Sequence, residues 1–256
     1  MFEIKDTGDK LEVYRGGALF CNYFYKGYIK PWLGPILTSD GESYTRADEH
    51  NPEHPHQRSV FVGQGEVTRE GLPTLDFWNE PEDSGIAEHV RFDSLEHDRF
   101  SALNIWRSRG GVPYLDERRE FIFGENCGTV TLEHTIIFTA SYGTLTLGAT
   151  KEAGPLGIRV ADALRGDRGG KIVNAEGLAG ESGCWGKTSE WCRYDGVLDG
   201  KSVSIKVEDD RRNDRWPTAW HVRDYGLFAA NNFYFKGGET IDAGECKVWR
   251  YKISFS

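Results

Sequence analysis

Residues 54–58 read His-Pro-His-Gln-Arg, which commits two imidazoles and a guanidinium to one short stretch. An imidazole gives and takes protons near neutral pH, and a guanidinium offers oxygen atoms a planar fork of donors. Pro55 has no backbone donor and steers His54 away from helix, so the stretch reads as extended. Side chains then alternate, with His54, His56 and Arg58 on one face and Gln57 turned away. The plain alternative is a solvated loop that happens to carry two histidines. A second alternative is a divalent metal held by His54 and His56, with His221 or a carboxylate as third ligand. No His-Glu-x-x-His or cysteine-rich signature accompanies it, so the cofactor stays open, and the same trio suits an anion or a polyol.

A second histidine and arginine two residues apart occur in Trp220-His221-Val222-Arg223-Asp224-Tyr225-Gly226. In a strand His221, Arg223 and Tyr225 would share a face. A third group runs from Lys151 and Glu152 across Gly154-Pro155 to Arg159. It reads either as a hairpin with surface ion pairs worth ~0–1 kcal/mol, or as Lys151 and Arg159 pointing into a cleft. Glu152 is the first carboxylate to consider as an acid. Trp185 and Lys187, with Trp78 in Asp76-Phe77-Trp78-Asn79, could supply platforms for the apolar face of a pyranose. Most of the eight tryptophans should simply be core.

The elements that would position these groups read as strands. Residues 1–30 alternate in short runs around Gly16-Gly17, as a hairpin does. Arg119–Phe123 and Thr129–Phe138 form a strand pair across Gly124-Glu125-Asn126, with Val130, Leu132, His134, Ile136 and Phe138 on one face. Further strands are expected at Thr144–Thr150, Gly157–Ala161, Ser202–Glu208, Gly226–Asn231 and Lys247–Phe255. Residues 40–90 are dense in Asp, Glu, Pro and Gly, the composition of a long functional loop. Helical periodicity is poor, and the nearest candidates, 159–165 and 208–214, are too short and charged to form a layer. Strands at this spacing, with no helical crossovers, predict an all-β fold: a large antiparallel β-sandwich with few or no helices, in a single domain over 1–256.

Composition narrows the function. Aromatics make up 13% of 256 residues, with 31 Gly and one Met, and the net charge is −9. Acidic and basic residues are interleaved, which excludes the clustered basic footprint of a nucleic-acid binder. Five widely spaced cysteines argue against a disulfide framework, and the acidic N-terminus lacks a secretory pattern, so a cytoplasmic location is expected. No window approaches the ~20 apolar residues of a membrane span. A G-x-S-x-G elbow, a P-loop and a dinucleotide fingerprint are all missing.

Taken in order, several segments resemble a bacterial domain family called PmoA-like. They are Lys30-Pro31-Trp32, Thr45-Arg46, His54 to Ser59, Asp76-Phe77-Trp78, Lys151-Glu152 through Ala161, Trp185-Gly186-Lys187, and Trp220 to Asn231. The resemblance covers roughly residues 25–235. It implies a β-sandwich of the large galactose-mutarotase-like kind and a setting among sugar-processing enzymes. The methane monooxygenase subunit in the family label is a membrane copper protein, and that chemistry is set aside. Family members tend to read His-Pro-His-His-Arg, whereas this chain has Gln57 in place of the second adjacent histidine.

The leading expectation is a cytoplasmic enzyme acting on a small sugar or an oxidised keto sugar, by lyase, hydrolase, hydratase or epimerase chemistry. His56 or His221 would move the proton, with Glu152 as a further candidate acid. His54, Arg58, Trp78, Lys151, Arg159, Trp185, Lys187, Arg223, Tyr225 and Asn231 would bind the substrate. The alternatives are a non-catalytic carbohydrate-binding domain, which needs aromatics but no titrating pair, and a metal-dependent oxygenase using His54, His56 and one carboxylate.

Overall fold

In the hairpin at the centre of the chain, alternate residues of Pro113–Asn126 and Thr129–Thr139 are buried, because a strand with one face on a core must alternate. A computed structural model of the chain describes residues 1–46 and 53–256; the 47–52 part of the expected loop lies outside the described residues. Strands dominate, joined into two eight-stranded antiparallel sheets and a three-stranded one. The first sheet runs, in spatial order, through Phe2–Asp6, Lys10–Arg15, Ala18–Phe24, Trp32–Leu33, Val60–Gln64, Ala153–Arg159, Leu227–Ala230 and Trp220–Val222. The second runs through Lys171–Asn174, Trp191–Leu198, Lys201–Asp209, Cys246–Phe255, Thr129–Thr139, Pro113–Asn126, Arg99–Arg107 and Ile86–Leu95. The all-β sandwich expectation therefore holds.

One large core lies between the two sheets. Tyr23 of the first packs on Phe100 and Phe121 of the second, with ring centroids 4.9 and 5.6 Å apart. A buried ion pair also joins the layers. Glu117 and Arg119, both turned inward by the alternation of their strand, bond at 2.5 and 2.9 Å, and Arg119 Nη1 donates to the Pro31 carbonyl of the first sheet's connection at 2.6 Å. Trp106 Nε1 donates to the same carboxylate at 2.7 Å, so neither charge is left without hydrogen bonds.

The first sheet has a second face, and register decides what stands on it. Tyr23, Leu33, Val60, Ile158, Phe228 and Val222 belong to the core. Their sequence neighbours Phe24, Trp32, Phe61, Gly157, Ala229 and His221 form one cross-strand row and must point the other way. Trp32, Phe61, Leu227, Ala229 and Trp78 make a separate apolar cluster there, with Phe24, Tyr28 and Tyr225 against it. Gly157 has to lack a side chain, because a Cβ would come within 2.5 Å of the Phe61 ring.

Two local expectations need correction. Gly154-Pro155 is no turn; it lies inside Ala153–Arg159, whose pairing with Val60–Gln64 shifts register between Ala153 and Leu156. A strand can carry a proline at such an irregularity. The strand Trp220–Val222 stops before Arg223, where Gly226 N–H closes a turn on the Arg223 carbonyl at 2.8 Å, so His221, Arg223 and Tyr225 do not share a strand face. Among the described residues the helical pieces are short: two 3-10 turns at Asp162–Leu164 and Gly166–Arg168, and one α-helix at Gly180–Cys184. No helix among the described residues is long and apolar enough to cross a membrane.

Candidate functional site

The His-Pro-His-Gln-Arg stretch is a turn and not a strand. Gln57 N–H donates to the His54 carbonyl at 3.0 Å, and His54 sits at φ 53°. Pro55 therefore takes the second position of a β-turn, the alternative that proline's fixed φ serves equally well. The turn reverses the expected facing. Gln57 is 4% exposed, and its Oε1 accepts from Arg159 Nη1 at 2.9 Å. Arg58 swings away to a bidentate pair with Glu80, at 2.7 and 2.9 Å.

Arg159 and Tyr225 meet beside this turn. The guanidinium lies 4.5 Å over the Tyr225 ring, and the His54 ring stacks on that tyrosine at 4.6 Å with a 4° interplanar angle. Arg223 contributes from 5.9 Å over the same ring and pairs with Glu181 at 3.3 Å. Glu53 Oε2 is approached by Arg46, Arg159 and Arg165 at 3.4, 3.4 and 3.1 Å. Burial, aided by Arg46, lowers the Arg159 pKa to about 10. Burial and then Arg159 hold His54 below its ordinary value.

A second charged group sits over the Trp32–Phe61 part of the outer face. Lys30 is buried, donates to the Trp78 carbonyl at 2.5 Å and stands 3.5 Å from Glu80. Burial brings its pKa down to about 8, against the opposing pull of Glu80. His56 faces the same group, and burial followed by Lys30 lowers its pKa to about 3. It is an uncharged imidazole at neutral pH. Burial raises the Glu80 carboxyl, but Arg58 and Lys30 outweigh it and keep the group ionised below its usual range.

The third arm is His221. Its Nδ1 donates to the Lys151 carbonyl at 2.8 Å, which fixes the proton on Nδ1 and leaves the lone pair on Nε2. No described residue hydrogen-bonds Nε2. The ring is 5% exposed, and burial lowers its pKa to about 4. Trp185 stands edge-on to it at 6.4 Å, in a group with Phe235 and the exposed Tyr234.

Several expected substrate contacts are committed elsewhere. Trp78 is 1% exposed and packs on Phe61, so it presents no ring face to a sugar. Asn231 is spent on the backbone: its amide N–H groups bond the Thr150 and Lys151 carbonyls, and its oxygen accepts from the Phe233 and Tyr234 N–H groups. Arg58 is likewise held by Glu80. Lys151 and Glu152 form a loose pair at 3.8 Å, with Glu152 bonded to Thr150 Oγ1, and Lys187 is exposed. The structure thus brings together His54, Arg159, Tyr225 and Arg223, with His56 and Arg58 beside Lys30, and His221 with Trp185 across the sheet. Among the described residues no three His, Cys, Asp or Glu side chains are grouped to hold a metal ion.

Sequence reasoning passed over Lys30, Glu80, Glu53, Arg46 and Gln57 as site groups. Lys30 carried one usable signal, a lysine directly ahead of Pro-Trp in an apolar strand. Glu80 and Glu53 sit in acid-rich loop sequence with nothing to distinguish them.

The chain belongs to the family of unknown function DUF6807, which residues 10–256 match. No curated protein matches it in sequence. Among solved structures it is similar to a galactose mutarotase-like protein from Lactobacillus casei ATCC 334, at 9% identity, TM-score 0.46 and full coverage of both chains. It is similar also to a galactose mutarotase related enzyme from Lactobacillus acidophilus, at 9% identity and TM-score 0.41, covering 100% of this chain and 97% of that one. A GH36 alpha-galactosidase from Geobacillus stearothermophilus is similar at 12% identity and TM-score 0.48 over 100% of this chain and 41% of the galactosidase.

Proposed function

We propose that this protein is a carbohydrate-active enzyme that transfers a proton at, or beside, a carbonyl or anomeric carbon, with His221 as the proton acceptor. The observation that carries the reading is the state of that side chain: a buried imidazole whose proton is pinned on Nδ1 by a main-chain carbonyl and whose Nε2 lone pair stays uncharged at any pH above about 4. Its row neighbour Ala229 pairs with Gly157, and Arg159 stands two residues beyond Gly157 on the same face. With strands ~4.8 Å apart and ~3.3 Å rise per residue, the His221 and Arg159 Cα atoms lie roughly 12 Å apart. Arg159 would meet the oxyanion charge that develops as the proton leaves. Trp185 and Tyr234 supply an aromatic edge beside His221. Free thiols at all five cysteines fit a reducing, cytoplasmic compartment.

The test is turnover of a panel of neutral, keto and acidic sugars followed by NMR. Wild-type protein should convert at least one of them. His221→Gln should lower that rate by ~10²–10⁴-fold while keeping binding within about tenfold, roughly 1.4 kcal/mol. Sugar binding without turnover by the wild type would instead identify a binding module, and full activity in His221→Gln would remove this residue from the chemistry.

A further inference from the structure

Arg159 is 0% exposed, yet its hydrogen bonding is incomplete. Nη1 has Gln57, whereas Nε and Nη2 have no hydrogen-bond partner among the described residues. Nη2 reaches Glu53 only as an ion pair at 3.4 Å. Positive charge also crowds it. Arg165 is held bidentately by Asp167 at 2.9 and 2.6 Å and also donates to Glu53 at 3.1 Å, so among the described residues Arg46, Arg159 and Arg165 crowd one carboxylate. A buried guanidinium with two idle donors is costly, and the like charge of Arg46 beside it adds to the cost. Both deficits are met by one kind of group: a carboxylate, which accepts two parallel N–H bonds from a guanidinium fork. The surroundings suit a sugar acid over a bare anion. The Tyr225 side chain stands beside the fork, and a buried apolar cluster that includes Phe61, Leu227 and Ala229 lies toward His221.

We propose that Arg159, positioned by Gln57 and Tyr225, binds the carboxylate of an acidic sugar, a uronic or aldonic acid, and so sets the substrate class of the site. The inference rests on the carbohydrate reading above and deepens it.

The experiment is calorimetric titration of the full chain at pH 7 with D-glucuronate, D-galacturonate and D-gluconate, against D-glucose, D-galactose and acetate. At least one sugar acid should bind about tenfold or more tightly than its neutral counterpart and than acetate, and weaken as salt rises. Arg159→Lys should lose that preference. Should its burial prevent folding, Gln57→Glu serves the same purpose by placing a fixed carboxylate against the fork, and it should abolish the preference for acids. Neutral sugars bound as tightly as acids would overturn the inference and leave the carbohydrate reading standing. Acetate bound as tightly as the sugar acids would reduce the site to a simple anion site and also overturn it. No binding by either sugar class would overturn both, and an acid preference that survives in Gln57→Glu would remove Arg159 from the role.

Discussion

Gln57 does two things at once: its main-chain N–H closes the turn on His54, and its side-chain oxygen is the one hydrogen-bond acceptor given to Arg159 among the described residues. Gln57→Ala should therefore destabilise the fold by ~1–3 kcal/mol, the cost of stranding a buried donor. Glu80→Ala should cost ~3–5 kcal/mol, because it leaves Arg58 and Lys30 facing each other across a buried site. The exposed pair of Lys151 with Glu152 sets the contrast, since Lys151→Ala should stay within ~0.5 kcal/mol. Urea unfolding of the three variants checks the ranking, and similar losses for all three would contradict it. The sequence exposed the imidazoles and arginines of this region through residue type alone. Their facing was not legible, since proline serves an extended segment and a turn equally well and the choice was made by a hydrogen bond between residues three apart.

At the scale of elements, the outer row of the first sheet depends on Gly157. A methyl group there meets the Phe61 ring at 2.5 Å, so Gly157→Ala should cost ~1–3 kcal/mol through overpacking and should weaken ligand binding by moving Phe61. Circular dichroism melts together with calorimetry on the same variant read both effects; an unchanged melt would mean that the ring has somewhere else to go. The strands of the second sheet could be found from their alternation, as the burial of Val130, Leu132, His134, Ile136 and Phe138 shows. Ala153–Arg159 was harder to find because all seven of its residues are buried. A strand covered on both faces has no period-two signal, and its Gly-Pro mimics a turn.

For the molecule as a whole, buried histidines link stability to pH. Burial lowers His56 and His134 to about 3 and His221 to about 4, while the unfolded chain titrates near 6.5. Below pH 6.5 the unfolded state takes up protons that the native state refuses, so each histidine removes up to ~1.4 kcal/mol of stability per pH unit as pH falls toward its folded value. Asp209 acts in the opposite sense. Burial raises its carboxyl to about 6, so the native state gains protons there first and offsets part of the loss between pH 6 and 4. Urea midpoints should hold steady above pH 7 and fall from pH 6.5 to 5, with a shallower fall in His134→Phe, where the ring that stacks on Phe121 at 4.1 Å no longer titrates. A midpoint that rises toward pH 5 would contradict the assignment. The two-sheet sandwich itself could be inferred from strand spacing, but the Arg119 bond through the core to the Pro31 carbonyl could not, because it joins segments 88 residues apart. That bond has a thermal consequence. The peptide beside Lys30 is fastened to the opposite sheet by a charged group that cannot leave its partners while the layers stay together, so this part of the site has no private way to loosen. On heating, ligand affinity should persist up to the cooperative transition and vanish with it, with no earlier decline.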